Sequence, residues 1–549
     1  MAAKRAHKER IWTRREIEGL IAEGRKIIIL QCQVVKVDAW IPFHPGGEKT
    51  ILHMVGRDST DEVLALHSPE AVTMMQKYVI GRIEGRWENF VPPIQGGVFR
   101  NIAEAEEECE REESVQPEAS ESSDSSAPSP VFDSVEGIAR RRFATETSSI
   151  SSGPSELDLP EPATEQIQTP KAQPAFICSN PSNELLNYPS LSPASQDAIC
   201  TKYRELDAKM RAEGMYQCNY SAYAWEMSRC LALFLAFLYC LHISQYALAG
   251  VFLGLFRHQL VFTAHDAGHN GITHNLHIDT CIGIFIANIC GGLSIGWWKR
   301  SHYVHHIVTN SPEHDPDIEH MPVFAISTKF FNNLYSTYHN KTMVFDAAAR
   351  WFIARQHYLY YPILSLAHFN LYAQSYIYLF SAQPPKRGPA WSTGTSNSSA
   401  SQSTGTVLVS HIVCSPLHIQ ITLSHFAMST ADLGVHESFP QKMLRTTMDV
   451  DCPPWLDFVH GGLQFQAVHH LYPRMPRHNL RKAQKYVKEF CAEVGIPYVI
   501  YGFGRGNAEV LGRLGEVARQ VKYLEECQKV AARDLFEGEG HHVQRQSKI

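Results

Sequence analysis

The sequence predicts a multidomain chain. A small α+β unit spans residues 1–90 and a disordered linker spans 91–180. An all-α, multi-pass membrane unit with a histidine-rich cap covers 181–506, and a C-terminal amphipathic helix and tail cover 507–549. Three observations predict this. At 549 residues the chain is too long for one core, and its long apolar runs are concentrated in the middle. A Ser/Pro/Glu-rich tract separates those runs from a compact N-terminal stretch. Seven histidines and one glutamine then fall into three tight groups, His265 and His269, His302, His305 and His306, and Gln466, His469 and His470.

Composition narrows the function classes. A formal charge of −6 gives no reason to expect a nucleic-acid partner. The 13 cysteines form no C-x-x-C pair and read as reduced thiols of a cytosol-facing protein. The start, MAAKRAHKERIW, is basic but has no apolar h-region, so insertion is expected to use the internal apolar segments.

Residues 10–90 read as short helices around one strand-like run, Lys26 to Val37. From 99 to 175 an acidic run, Glu104 to Glu113, leads into sequence such as SESSDSSAPSP, which cannot bury enough apolar surface to offset its ordering entropy. Arg140, Arg141 and Arg142 interrupt it as a solvated charge cluster. Pro193 to Met215 predicts an amphipathic helix, capped by Ser192 with proline at its first position. Residues 228–264 hold two spans of roughly 20 residues, 228–244 and 246–264, joined by a tight turn. The hairpin brings Met227 and His265 to one side, with Arg257 and His258 facing the protein interior or the interface.

Ile278 to Trp298 is about long enough to cross, but crossing would part His269 from His302, so a shared site requires it to be re-entrant or interfacial. Trp297, Trp298, Lys299 and Arg300 suit an interface anchor on the cytosolic side. Two further candidate spans are 356–381, rich in tyrosine, and 406–428. Val510, Leu514, Val517, Val521 and Leu524 mark one face of the C-terminal helix.

The first chemical candidate is His44-Pro45-Gly46-Gly47, followed by His67. Two histidines on opposing loops supply both axial ligands of an iron porphyrin and leave no open position, a site for passing single electrons. Ile51, Leu52, Val55, Val63 and Leu64 are candidates to line the haem edge. Glu48, Asp58, Asp61 and Glu62 would form an acidic rim for a basic redox partner. From Ile11 to Ile83, through HPGG and GRDSTDEVLALHS, the chain resembles the cytochrome b5 domain, which implies haem b held by His44 and His67.

The second candidate is the histidine groups. Offsets of three and four return to one helix face, so each group aims at one point, and three such faces could enclose two metal ions. A lone buried histidine, such as His242 or His368, is better read as a core residue, but repeated doublets with a partner three residues earlier are not a packing requirement. Iron accepts neutral imidazole, and the Gln466 oxygen is a neutral ligand of similar reach. Asp266, Asp315 and Asp317 could orient the imidazoles, or equally be caps and turn formers.

HDAGH, HYVHH and QAVHH resemble the three histidine boxes of the membrane fatty-acid desaturases. The glutamine opening the third box and the haem unit are similar to the front-end subgroup, and LRTTMDVDCPPWLDFVHGG with LQFQAVHHLYPRMPRHNL is most similar to fungal Δ8-sphingolipid desaturases. The resemblance implies an O2-dependent oxidoreductase with two non-haem irons held by the eight residues. It further implies electrons from NADH through cytochrome b5 reductase, a ceramide or sphingoid-base substrate, and an endoplasmic-reticulum protein with haem unit and boxes cytosolic. It also implies a ligand before the third box, for which His425 is the candidate ahead of His460 and His411. The alternatives are an acyl-lipid front-end desaturase, a fused fatty-acid hydroxylase, and a catalytically impaired haem-bearing electron donor.

One departure stands out. Between Ser381 and Thr406 the chain is polar where such proteins carry an apolar span. Lys386 and Arg387 would each cost ~2.5–3.5 kcal/mol at a bilayer centre. Either 356–381 has become the missing span, or the segment is a deletion or a gene-model error. An odd number of spans would put the third box on the wrong side.

Overall fold

The structure is a computed structural model and describes residues 9–101, 181–380 and 404–546. The acidic Ser/Pro tract with Arg140–Arg142, and the polar stretch beginning at Ser381, lie outside the described residues.

The N-terminal unit opens with α1 (Arg14–Ala22), started by a capping box in which the Thr13 and Glu16 side chains satisfy each other's backbone N–H groups. The run Lys26–Val37, expected as one strand, is a hairpin of β1 (Ile27–Leu30) and β2 (Gln33–Lys36), and β3 (Val79–Arg82) completes an antiparallel sheet. The reversal uses Gln31 and Cys32 at φ 51° and 62°, so no Gly or Asn betrays it. Helices α2 (Glu48–Leu52), α3 (Thr60–Leu66) and α4 (Pro69–Met75) cover one face. Order continues past residue 90, because Phe99 packs edge-on against Phe90 and Gln95 Nε2 donates to His53 Nδ1.

In the larger unit, α5 (Pro181–Asn187) and α6 (Pro193–Ala212) precede the apolar hairpin, and Ser192 caps α6 by accepting from the Ser195 N–H. The hairpin is α7 (Tyr220–His242) and α8 (Tyr246–Gly268), both longer than expected. Among the described residues these two helices, with Gly405–Phe426, are long and apolar enough to cross a membrane. The chain is an integral membrane protein. Leu231, Leu235 and Tyr239 are more than half exposed on α7, as lipid-facing residues are, whereas α8 is buried among its neighbours. Gly250 and Gly254 explain that burial, since a Cβ at either would meet the chain at Thr406–Val413 within 3.0 Å. This is small-residue packing one helical turn apart.

Leu276–Cys290, comprising α9 (Leu276–Gly283) and a wider-wound turn, meets α10 (Ile295–Val308) at 114°, so the stretch expected to be re-entrant folds back. After α11 (Ala347–Ile353) the 356–381 stretch is not one helix but α12 (Gln356–Leu364) and α13 (Ala367–Phe380), broken at Ser365–Leu366. It runs antiparallel to α14 (Thr404–Cys414) and α15 (Pro416–Phe426). Tyr360 meets Thr422, His368 meets His418, and Phe369 stacks on His411.

The cap packs α6 against α16 (Phe439–Thr446), α17 (Gln466–Leu471) and α18 (Arg477–Val494) through Tyr203, Met443, Val468 and Val487. It is not wholly helical, holding the pairs β4–β5 (Tyr335–Ser336, Lys341–Thr342) and β6–β7 (Asp449–Asp451, Ile500–Gly502). The last helix, α19, starts at Phe503 rather than 507, and buries Val510, Leu514, Val517 and Val521.

Candidate metal and haem centres

The three histidine boxes sit on α8, α10 and α17, and these helices bring their rings together. Ligand nitrogens of His265, His269, His302 and His469 all lie within 4.8 Å of one another, and those of His305, His425 and His470 form a second such group. His306 stands between, its ring 4.8 Å from His269, 4.9 Å from His469 and 4.2 Å from His470. The His265 and His469 rings are 4.6 Å apart across about two hundred residues of sequence. His425 joins from the end of α15, 4.7 Å from His305. Gln466 is buried one helical turn before His469 and His470. His411 and His460 lie elsewhere, against Phe369 and Phe503.

Around these rings the aspartates divide. Asp315, fully buried, accepts from His305 Nδ1 at 2.8 Å and from the Asn310 N–H, turning the other His305 nitrogen toward the cluster. Asp317 lies 3.5 Å from His302 Nδ1. Asp266 instead takes hydrogen bonds from Tyr223 and Arg477, and Arg477 also pairs with Glu226. It ties the spanning hairpin to α18, and its other oxygen lies 3.8 Å from His265 Nδ1. Asp449 fixes the third box by accepting from the Ala467 N–H and Gln484 Nε2. Burial pushes its carboxyl up to about 6, against those hydrogen bonds.

The residues fit metal ions on their own chemistry. Buried nitrogens of His269, His306, His425, His469 and His470 have no hydrogen-bond partner among the described residues. Each would forfeit about 1–3 kcal/mol if left so. Burial first, then the neighbouring imidazoles, hold His469 and His470 well below the usual histidine range, so both present neutral, metal-competent nitrogens at neutral pH. Seven histidines in two adjoining groups, with an eighth between, suit two ions rather than one.

Several residues here escape a reading by motif. Trp298, expected as an interface anchor, stacks on His302 at 4.4 Å and fills the space over Gly268, which has no room for a Cβ. Asn310 holds the His425 carbonyl through Nδ2. Thr309 Oγ1 lies 3.4 Å from His470 Nδ1. Trp298 and Thr309 stand at offsets of four from His302 and His305 of the second box, and Asn310 follows in the turn that ends α10.

On the other side of α10 lies a cavity of about 250 Å³, with His44 and His67 among its lining. Their rings are 5.8 Å apart, and each Nδ1–H donates to a backbone carbonyl, Gly47 and Val63 respectively. That leaves the two Nε2 atoms for one metal between them. Burial lowers the His44 value, and burial with the adjacent His44 brings His67 down to about 3, so both are neutral. Ile28, Val35, Ile51, Met54 and Val63 line the walls. Leu52 and Leu64 do not, and Val55 packs behind the sheet with Ile17 and Ile21. The expected acidic rim is partly spent inside the chain. Asp61 is buried in an ion pair with Arg204 at 2.6 Å, and Glu62 lines the cavity. The cavity is closed by residues of the larger unit, Asn270, His274, Lys299, Tyr303, Ile307 and Arg474.

Comparison with known proteins agrees with this division. The family model described as Fatty acid desaturase matches residues 241–502, and Cytochrome b5-like Heme/Steroid binding domain matches 13–84. The chain is 52% identical to a Delta 8-(E)-sphingolipid desaturase of Emericella nidulans, over 96% of this chain and 97% of that protein. It is 44% identical to the one from Kluyveromyces lactis, over 97% of each. A Delta(8)-fatty-acid desaturase of Helianthus annuus is 35% identical over 59% of this chain and 75% of its own. Shared along nearly their whole length, the haem unit and the three-box unit are one inherited arrangement, and the chain belongs to the family of cytochrome b5-fused membrane fatty-acid desaturases.

Proposed function

We infer that this chain is a Δ8-sphingolipid desaturase, introducing one double bond into the long-chain base of a ceramide. The observation that carries the reading is the convergence of seven histidines into two adjoining groups, with His306 between them, at one end of the spanning helices. The names of the fungal relatives support the substrate.

His265, His269, His302, His305, His306, His469 and His470, with His425 and the Gln466 amide, would hold two non-haem irons, and His44 and His67 would hold haem b. Once bound, the irons supply O2 activation strong enough to remove hydrogen from two adjacent methylenes, using electrons that originate in NADH and arrive through cytochrome b5 reductase. The protein's part is positional. Asp315 fixes the His305 ring, Asp449 fixes the start of α17, and Trp298 with α15 keeps water from the rings. We read α12–α13, which packs antiparallel to α14–α15, as the broken return span, an even number of crossings that would put all three boxes on one face. We place that face and the haem unit in the cytosol, at the endoplasmic reticulum.

Expression in a yeast lacking sphingolipid desaturation, followed by analysis of long-chain bases, tests this. The expected product is a Δ8 base, and His469→Ala loses it while haem absorbance persists. A double bond found only in acyl chains would assign the chain to the acyl-lipid front-end enzymes instead. Haem without non-haem iron would make it an electron donor.

A further inference from the structure

One helix forms the wall between the two centres. On α10, Arg300, Tyr303, Val304 and Ile307 recur at offsets of three, four and seven, and form one face. That face meets the haem unit. Val304 and Ile307 share a core with Ile28, Val35 and Val63, and Tyr303 and Ile307 line the haem cavity. The alternate face carries His302, His305 and His306 into the metal cluster. Tyr303 is the residue that touches both sides. Its Cδ2 and the Cε1 of His44 flank Gly46, at 3.2 and 3.1 Å from where a Cβ would stand. Its ring meets His269 edge-on with centroids 5.5 Å apart, and its hydroxyl donates to the Gly268 carbonyl at 3.0 Å. A second tie holds the other haem-ligand loop, since Arg474 Nη1, four residues after His470, donates to the His67 carbonyl at 2.8 Å.

We propose that Tyr303 is the bridge through which electrons pass from the haem pocket to the histidine cluster. The series runs from His44 past Gly46, which both rings flank, to Tyr303 and then edge-on to His269. The inference rests on the functional reading above, because it needs both centres loaded. Each transfer takes one electron from ferrous haem, leaving it ferric, and reduces one ferric ion to ferrous, with no bond broken. Two transfers supply the two electrons and, with two protons from solvent, convert a –CH2–CH2– unit and O2 into –CH=CH– and two waters. Tyr303 keeps its proton and is neither oxidised nor consumed.

The test uses the full chain, with reductase and NADH, as wild type, Tyr303→Phe and Tyr303→Leu. Haem is reduced without oxygen, then mixed with O2 and ceramide while its absorbance is followed. The leucine variant is expected to bind haem and iron normally and to accept electrons from the reductase at the wild-type rate. Its haem should reoxidise at least ~10-fold more slowly, about 1.4 kcal/mol in barrier. The phenylalanine variant keeps the ring and is expected within ~3-fold of wild type, under 1 kcal/mol by the same conversion. Reoxidation of the leucine variant at the wild-type rate overturns the proposal. So does loss of its iron or haem, which would make Tyr303 a packing residue, and so does equal slowing in the phenylalanine variant, which would pass the role to the hydroxyl. Wild-type haem that is not reoxidised under these conditions, or a wild type without non-haem iron, defeats the functional reading and the bridge together.

Discussion

The two sides of α10 would hold iron in opposite ways. In the haem unit, His44 and His67 are 23 residues apart, reach in from loops, and face each other across an apolar cavity. The cofactor brings its own equatorial ligands, so the protein supplies two nitrogens and a shaped hole. In the cluster, the ligands would come from helices spread between residues 265 and 470, with no cavity of comparable size needed. A bare ion brings nothing, so every coordinating direction has to be built by packing helices. One site is therefore local and the other global. Damage should spread differently in each.

The largest effects come from removing the ligand that matters most on either side. His306→Ala takes away the ring between the two groups, and should eliminate product and most non-haem iron while leaving the haem spectrum intact. His44→Ala should do the reverse, abolishing haem absorbance while the iron stays. Metal analysis per mole of chain, beside the haem spectrum, checks both. Loss of both cofactors in either variant would erase the distinction. Next in size is Asp315→Asn. Its carboxylate is fully buried against His305, so iron affinity should fall ~10–100-fold, as for other residues that orient a metal-bound imidazole, with haem unaffected. Smaller again is Gly268→Ala, whose methyl collides with Trp298. Overpacking at this point should cost about 1–3 kcal/mol, read as a lower melting temperature, and should loosen His302 through the displaced indole.

This difference in reach also governs what the sequence made legible. The haem ligands, the spans of α7 and α8 and the fold-back of Leu276–Val308 follow from local pattern alone, because motif, apolar length and a shared-site requirement act over a few dozen residues. The three boxes were recognisable because each repeats one helical spacing. His425 has no box of its own, and enters the cluster only because α15 runs antiparallel to the broken α12–α13 pair. Residues 356–381 were legible as one candidate span, but not the break at Ser365–Leu366 that divides them into those two helices. Asp61 looked like a docking charge from its neighbours in sequence, but Arg204 on α6 claims it. Tyr303 was in plain view inside HYVHH, yet its role depends on which unit α10 turns its other face to.

One joint between the regions is the seam where His53 of the haem unit meets His314 of the larger one with rings 5.3 Å apart. Burial first, then His314 and the cations Lys442, Lys49 and Arg57, hold His53 well below the ordinary histidine range. Burial also lowers His314, with Lys442 adding to it and Glu313 and Asp432 opposing. The docked seam thus binds fewer protons than the separated surfaces, whose imidazoles titrate near ~6.5. Docking is at full strength above that pH and weakens as pH falls below it, by up to ~1.4 kcal/mol per pH unit for each histidine. Lys49, which donates to the Thr337 and Tyr338 carbonyls and to Asn340, marks the same seam. With the intrinsic slowing of amide exchange at lower pH divided out, protection of Thr337–Asn340 should therefore fall between pH 7.5 and 5.5, and His314→Asn should flatten that dependence. Equal protection at both values would mean the histidine pair contributes nothing to docking, which would then rest on contacts such as those of Lys49, Arg204, Arg474 and the α10 face.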